Sequence, residues 1–515
     1  MTEKKNWIET IKSFSDTRSI TMLFLGFSAG LPILMIFSSL GLWLREAGVE
    51  RSAVTYFSWA ALGYSFKFIW APLIDRLPVP ILNNLLGRRR SWLLLSQILI
   101  VIAISWMAMV NPAAGDSALT SMALATVMLG FSSATQDIVI DAYRIESAPT
   151  EWQAILSAAY IAGYRLGMLA SGAGALFIAA YFGTTKEAYN YIAWRDTYLI
   201  MASLMSVGIL TSLVRPEPKL KKSREHYHSD KEYIIFFVLF LIVVSVFIEA
   251  FYLLGTPVDS LNSSLKEFIS NKALVSFLTG TVRLMGAICG TIFFGYLIGK
   301  TKIIKTDMIE ESYIGPVKNF FKRYGTSFAV LLLSLIGLYR ISDIVLGVIS
   351  NVFYQDLGFT KTQIASVVKT LGLIMSLVGG FLGGALTTRF GIYRMLWWGA
   401  ILASATNILF MVQAKLGANL PFLYLVISAD NLAAGLASAA FVAFLSSLTD
   451  ISFTAVQYAI FSSLMTLIPK IIGGYSGGMV EVIDYSGFFL ATTLMGLPVL
   501  YIIYLCQRTF KLNQK

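Results

Sequence analysis

The sequence predicts an all-α membrane protein in which two related six-helix bundles flank a further inserted helix pair, about 14 spans at roughly 20 apolar residues each. Three observations carry this. Of 515 residues, 56% are hydrophobic and 13% charged, with a mean hydropathy of +0.70, whereas a soluble domain carries about 25% charged residues. Apolar stretches recur from near residue 20 to residue 507 with no soluble-looking interruption. The second half of the chain also echoes the first.

The first bundle, residues 1–214, takes apolar segments near 20–43, 52–74, 91–110, 119–141, 153–181 and 195–214. A polar linker over 215–232, RPEPKLKKSREHYHSDKE, interrupts the pattern. Residues 233–325 hold the inserted pair, near 233–254 and 274–299, and a basic loop. The second bundle, 326–515, repeats six segments near 327–354, 362–386, 393–412, 421–448, 454–479 and 486–507. The N-terminal stretch is followed by an apolar run too long for a signal-peptide core, so the first helix is expected to stay.

A formal net charge of +11 would fit nucleic acid or an acidic partner if it were clustered on a soluble surface. It is not. The bases gather in the N-terminal stretch, the loop with Arg76, Arg88, Arg89 and Arg90, the linker, the loop from Lys300 to Arg323 and the C-terminus. All these fall on one side of the alternating spans, which by the positive-inside rule places both termini in the cytoplasm. The two cysteines, Cys289 and Cys506, lie in apolar segments, and the two histidines, His226 and His228, in the linker. No metal site or disulfide framework is implied. Absence of a GxxxxGK[ST] loop disfavours a nucleotide-driven pump, and with no nucleophile beside a partnered base, no enzyme is indicated.

The duplication is visible in loops. LREAGVERS from Leu44 to Ser52 matches YQDLGFTKT from Tyr354 to Thr362, an acid, a glycine and a base in register. APLIDR ending at Arg76 is echoed by GALTTR ending at Arg389, and the fifth helices align Arg165 with Lys470. Secondary transporters use such repeats to place a site between halves that rock against each other.

Charges inside the spans carry the functional reading, because each costs about 2.5 to 3.5 kcal/mol at a helix centre. Asp137, Asp141, Asp343 and Asp430 are candidate proton-coupling groups, since a carboxylate in a low-dielectric cavity can exchange a proton near neutral pH. Asp141 can pair with Arg144, and Arg340 with Asp343, each three residues apart on one helix face. Lys67, Arg165, Lys369 and Lys470 have no acid three or four residues away, so their partners must come from other helices, water or an anionic solute. The glycine runs near Gly163 and Ile471 are read as packing surfaces.

Asp75-Arg76 followed by Gly87 to Arg90 resembles the loop after the second helix in the major facilitator superfamily, with Ala71 at the usual glycine position and Thr388 before Arg389 where the second copy would carry Asp. Within that superfamily the chain resembles the AmpG muropeptide permeases, through GFSAGLP at 26–32, FKFIWAPLIDR at 66–76, GRRRSWLL at 87–94, SSATQDIVIDAY at 132–143, GYRLGMLASG at 163–172, KTLGL at 369–373, DNLAAG at 430–435 and AAFVAFLSSL at 439–448. Asp430 stands where a Glu is expected and Lys470 where an Arg is usual. The resemblance implies two extra helices between the halves. It also implies proton symport of anhydromuropeptides, N-acetylglucosaminyl-anhydro-N-acetylmuramyl peptides, across the bacterial inner membrane for peptidoglycan recycling, an import that feeds β-lactamase induction. On that basis Lys67, Gln136, Arg165, Arg340, Lys369, Asn431 and Lys470 are candidate substrate-binding residues, and Asp75, Arg76, Arg88, Arg89 and Arg389 candidate gating residues. The expected partners are the anionic sugar peptide, protons and the lipid bilayer, with no cofactor, metal or nucleic acid, for a protein acting as a monomer. Acetyl-coenzyme A or a siderophore is the alternative cargo.

Overall fold

The computed structural model describes the chain apart from residues 1–6, 50–56, 58–61, 80, 186–187, 219–229, 270–271, 302–309, 361–362, 474–475 and 514–515. His226, His228 and most of the linker fall outside the described residues. Thirteen helices among those described are long and apolar enough to cross a membrane. They correspond to all of the expected spans except the second. The chain divides into two compact units, Met1–Leu220 with Asn319–Lys515, and Lys221–Lys318.

In the larger unit, the first half comprises α1 (Trp7–Phe14), α2 (Thr17–Ile36), α3 (Ser38–Glu46), α4 (Leu62–Phe66), α5 (Ala71–Arg76), α6 (Leu82–Leu86), α7 (Arg88–Ala108), α8 (Asp116–Ser147), α9 (Gln153–Leu169), α10 (Ala175–Tyr181), α11 (Tyr191–Leu204) and α12 (Ser206–Val214). The smaller unit holds α13 (Asp230–Leu253), α14 (Gly255–Phe268) and α15 (Lys272–Lys300). Within it, the Arg283 guanidinium Nε donates to the Phe251 carbonyl at 2.8 Å, near the break at Leu254, and lies 4.2 Å over the Phe251 ring. After α16 (Gly315–Tyr324), the second half follows as α17 (Thr326–Leu338), α18 (Ile341–Asp356), a π-helical turn at Ile364–Leu371, α19 (Gly372–Phe390), α20 (Ile392–Leu416), α21 (Leu420–Leu448), α22 (Thr454–Gly473), α23 (Ser476–Leu494) and α24 (Gly496–Asn513).

The loop repeat has a structural cause. Gly48 donates its amide to Arg45 and Val49 donates to Leu44, at 3.3 and 2.9 Å. Gly358 and Phe359 do the same to Gln355 and Tyr354, at 3.0 and 3.1 Å. Both are helix stops of the Schellman type, which need a left-handed residue after the last turn, and the glycines supply it at φ of +83° and +92°. Two further pairs of left-handed glycines stand at corresponding turns, Gly87 with Gly391 and Gly115 with Gly417. The duplication therefore extends to backbone conformation.

The second span departs from a regular helix. Its described part is α4, a 3-10 segment at Lys67–Ile69 and α5. Pro72 lies at the start of α5, where its missing amide hydrogen and its ring favour a helix beginning over a helix continuing. Lys67 thus sits at a break, where the backbone ladder is already interrupted. The first span of the second half also breaks, at Arg340 between α17 and α18, with φ −100° and ψ 14°.

Helices α2 and α9 cross so closely that only glycine fits. A Cβ on Gly163 would lie 1.9 Å from the Leu23 carbonyl oxygen, and one on Gly30 would lie 1.9 Å from that of Tyr164. This crossing fixes the stretch of α9 that carries Tyr160, Tyr164 and Arg165. The halves meet along α9 and α19, where a Cβ on Gly384 would come within 2.6 Å of the Ala158 methyl, and where α22 packs against α4, α5 and α8.

Candidate transport site

Helix α8 runs for 32 residues, about 48 Å at 1.5 Å per residue, and carries acids at several depths. Asp141 is buried between two cations. Lys67 Nζ lies 3.7 Å from its Oδ2, and Arg144 Nη2 lies 3.0 Å from its Oδ1. Lys67 therefore finds its partner on another helix, which spacing along its own helix could not show. One turn earlier, Asp137 makes no ion pair among the described residues, and its Oδ1 is buried without a hydrogen-bond partner. Both amide atoms of Gln136 are likewise buried and unpartnered. Tyr160 is a hydrogen-bonding neighbour of Asp137.

The second half repeats this division with different residues. Arg340 Nη2 meets Asp343 Oδ2 at 3.1 Å, while the Arg340 Nε is buried with no hydrogen-bond partner. Asp430 has Thr406 Oγ1 at 3.2 Å from its Oδ1 and no ion pair among the described residues. Each half thus holds one acid bound to a cation and one acid without an ion pair. Arg165, partly buried on α9, lies close enough to Arg340 of the other half for the two guanidiniums to repel.

The remaining candidates are dispersed. Asn431 donates its side-chain amide to the Ile427 carbonyl of its own helix at 3.0 Å and abuts Gly372. Lys369 is exposed in the π-helical turn, and Lys470 is exposed on α22 directly after Pro469. Although the fifth helices align Lys470 with Arg165, the two side chains differ in burial.

Asp75, Arg88 and Arg89 converge with three groups that sequence reading missed. Arg89 is 0% exposed. Its Nη2 lies 2.6 Å from Asp75 Oδ1 and 2.6 Å from Glu146 Oε1, its Nε is 3.0 Å from Glu146 Oε2, and Nη2 also reaches Thr454 Oγ1 at 2.8 Å. Arg88 donates to the Asp75 carbonyl and to Glu146, both at 3.1 Å. Thr454 belongs to the second half, as does Val456, whose amide donates to Asp75 Oδ2 at 3.2 Å. Asp75 thereby supplies an acceptor to an unpaired amide at the N-terminus of α22, where the helix dipole also favours an anion. The two arginines and two acids balance, so the halves are pinned together at this end by a cluster of no net charge. Arg389 is partly buried in the last turn of α19, and the Arg76 side chain lies outside the described residues.

Glu217, at the start of the linker, fastens this end to the first half. Its carboxylate accepts from the backbone amides of Arg89 and Arg90, at 2.8 and 3.1 Å, and caps α7. Arg90 returns the contact by donating to the Ser212 and Leu213 carbonyls that close α12. Burial holds the Glu217 carboxyl above its ordinary value, opposed by the two amide bonds. Gly87 admits this approach, because a Cβ there would meet the Glu217 side chain at 2.6 Å.

The Major Facilitator Superfamily model matches residues 19–342. The chain belongs to the Major Facilitator Superfamily. Within this superfamily it is similar to the Rickettsia conorii protein named "Putative transporter AmpG 4", at 31% identity over 96% of this chain and 97% of that one. It is also similar to the anhydromuropeptide permease of Escherichia coli K12, at 28% identity over 97% of this chain and 82% of that one. The expected AmpG kinship is borne out. Solved superfamily structures share the fold: the proton:xylose symporter XylE at a TM-score of 0.58 and 13% identity, covering 97% of this chain and 96% of that one, and the Escherichia coli fucose:proton symporter FucP at 0.56 and 11%, covering 96% and 99%. The protein is a multi-pass superfamily transporter and not an enzyme.

Proposed function

We propose that this transporter couples the inward proton gradient of a bacterial inner membrane to import of anhydromuropeptides for peptidoglycan recycling, with both termini in the cytoplasm. The observation that carries the reading is the division of acids within each half. Lys67, Arg144, Asp137 and Asp141 sum to zero when both acids are ionised. A proton on Asp137, which no ion pair holds charged, leaves the cluster one positive charge in excess. Lys67 then favours a solute carboxylate, so proton loading precedes and strengthens anion binding. With Arg165 counted beside Arg340, Asp430 stands in the same relation: the two arginines, Asp343 and Asp430 sum to zero when both acids are ionised and to one positive charge when Asp430 carries a proton. Arg165 and Arg340, one from each half, are relieved of mutual repulsion by an anion placed between them.

The names borne by the relatives supply the sugar peptide; the charges alone supply only an anion. The pinned Arg89 end, read as cytoplasmic, makes this the state that loads from the periplasm. The test is accumulation of an anhydromuropeptide in proteoliposomes under an imposed pH gradient, with acetyl-coenzyme A as the competing anion. Accumulation of the muropeptide that collapses with a protonophore is the expected result, and gradient-independent equilibration would sink proton coupling.

A further inference from the structure

The Arg144 guanidinium lies between the central charge cluster and the contacts that join the halves. Its side chain is fully buried. Nη2 lies 3.0 Å from Asp141 Oδ1, while Nη1 reaches Ser157 Oγ at 2.6 Å and Ser446 Oγ at 3.0 Å. Its face lies 5.1 Å from the centre of the Tyr458 ring. Ser446 and Tyr458 belong to α21 and α22 of the second half, whereas Asp141 and Ser157 belong to the first. The other oxygen of Asp141 is the one that meets Lys67.

We infer that Arg144 is a positioning residue that transmits occupancy of the central site to closure of the Arg89 end, an inference that rests on the transport reading above. The guanidinium fork is planar and rigid, so one edge can face Asp141 while the other reaches the two hydroxyls. Where Lys67 turns to a solute anion, Asp141 is left with Arg144 as its remaining cation. Attraction between the two then strengthens at low dielectric, and the fork is drawn towards Asp141 and away from Ser446 and Tyr458. The halves lose a contact at the moment the site fills. Asp137, one turn away on α8, and Tyr160 and Tyr164 of α9 are further ionisable groups facing this cluster.

The test needs no solute. A cysteine placed by Ala154→Cys, in a Cys289→Ser background, reports opening of this end, because Ala154 is 4% exposed and its carbonyl lies 3.1 Å from where a Cβ on Gly384 would stand. Thiol-labelling rates in detergent are compared for the parent, Lys67→Gln, which leaves Asp141 with Arg144 as its remaining cation as a filled site would, the pair Ser446→Ala with Tyr458→Leu, and all three together. Each arm is expected to raise the rate about fivefold or more, and the combination should label no faster than the faster arm, since both act through one guanidinium. Rates that multiply in the combination, or a Ser446 and Tyr458 pair that labels like the parent, would overturn the inference. Arg144→Lys, which keeps the charge and loses the fork, should label as fast as the pair; parent-like labelling also overturns it. Failure of muropeptide uptake with the labelling pattern intact removes the cargo and leaves the strut.

Discussion

Arg89 and Arg340 are both arginines among apolar helices, yet the charges around them differ. Around Arg89, two arginines, two acids, a threonine hydroxyl and a helix amide interlock at 2.6 to 3.2 Å. Around Arg340, one carboxylate is met and Arg165 approaches as a like charge, while each of the two guanidiniums leaves one buried nitrogen without a hydrogen-bond partner, Nη1 of Arg89 and Nε of Arg340. A like charge beside a guanidinium that meets a single carboxylate costs free energy, which an anion placed between the two would relieve. The contrast separates a lock from a receptor. The first stabilises one arrangement of the halves, and the second, on the transport reading proposed above, is completed by what it carries.

The largest test breaks the lock. Arg89→Ala strands Asp75 and Glu146 in a buried site, and loss of one member of such a network costs about 3 to 5 kcal/mol. Thermal unfolding in detergent should fall by the equivalent amount, and labelling of the Ala154→Cys probe should rise. A parent-like melting curve would mean that the cluster is solvated and not a lock.

The next test separates Asp137 from Asp141 on α8. Asp141→Asn leaves Lys67 and Arg144 short of their shared anion and should destabilise the protein by a few kcal/mol. Asp137→Asn removes an acid that has no ion pair, so thermal stability should be unchanged or raised, as at other strained functional sites. Gradient-driven uptake should nonetheless fall about tenfold or more, while solute exchange at equal concentrations persists. Equal stability losses in the two variants would erase the distinction between paired and lone acids.

Glu217→Ala removes an acceptor from two amides at the start of α7, worth about 1 kcal/mol by analogy with other N-caps. Hydrogen exchange at the Arg89 and Arg90 amides should quicken, with little change near Asp137. The smallest effects belong to the dispersed candidates. Lys470→Gln, on an exposed side chain, should alter stability by about 0.5 kcal/mol or less, so any loss of uptake there reports a direct role in transport, and normal uptake removes Lys470 from the site.

Much of this was legible before the fold was known, and the reason is locality. Spans follow from composition, the pairing of Arg340 with Asp343 from helical spacing, and the loop repeat from a glycine that stops a helix in each half. What escaped was set by contacts distant in sequence. Lys67 meets Asp141 across 74 positions and Arg89 meets Thr454 across 365. Periodicity places a charge on a face and is silent about which helix that face meets. Helical spacing gives the pairing of Arg144 with Asp141 but not the full burial of Arg144 between the halves. One local signal was available and went unused: Pro72, five residues after Lys67, marks the break in the second span. Arg165 and Lys470 align in the repeat but differ in burial, because duplicated helices diverge in what packs against them.

Helix α8 bears Asp137 and Asp141 of the receptor and Glu146 of the lock on one continuous segment. Nine residues, about 14 Å along the axis, separate the first of these acids from the last. A chimera that imports this helix to change cargo preference would import half of the latch with it, so selectivity and closure are inherited together. Engineering a new substrate into the protein would therefore begin on the second span or on α9, where a side chain facing the cluster can be exchanged without redesigning the seal.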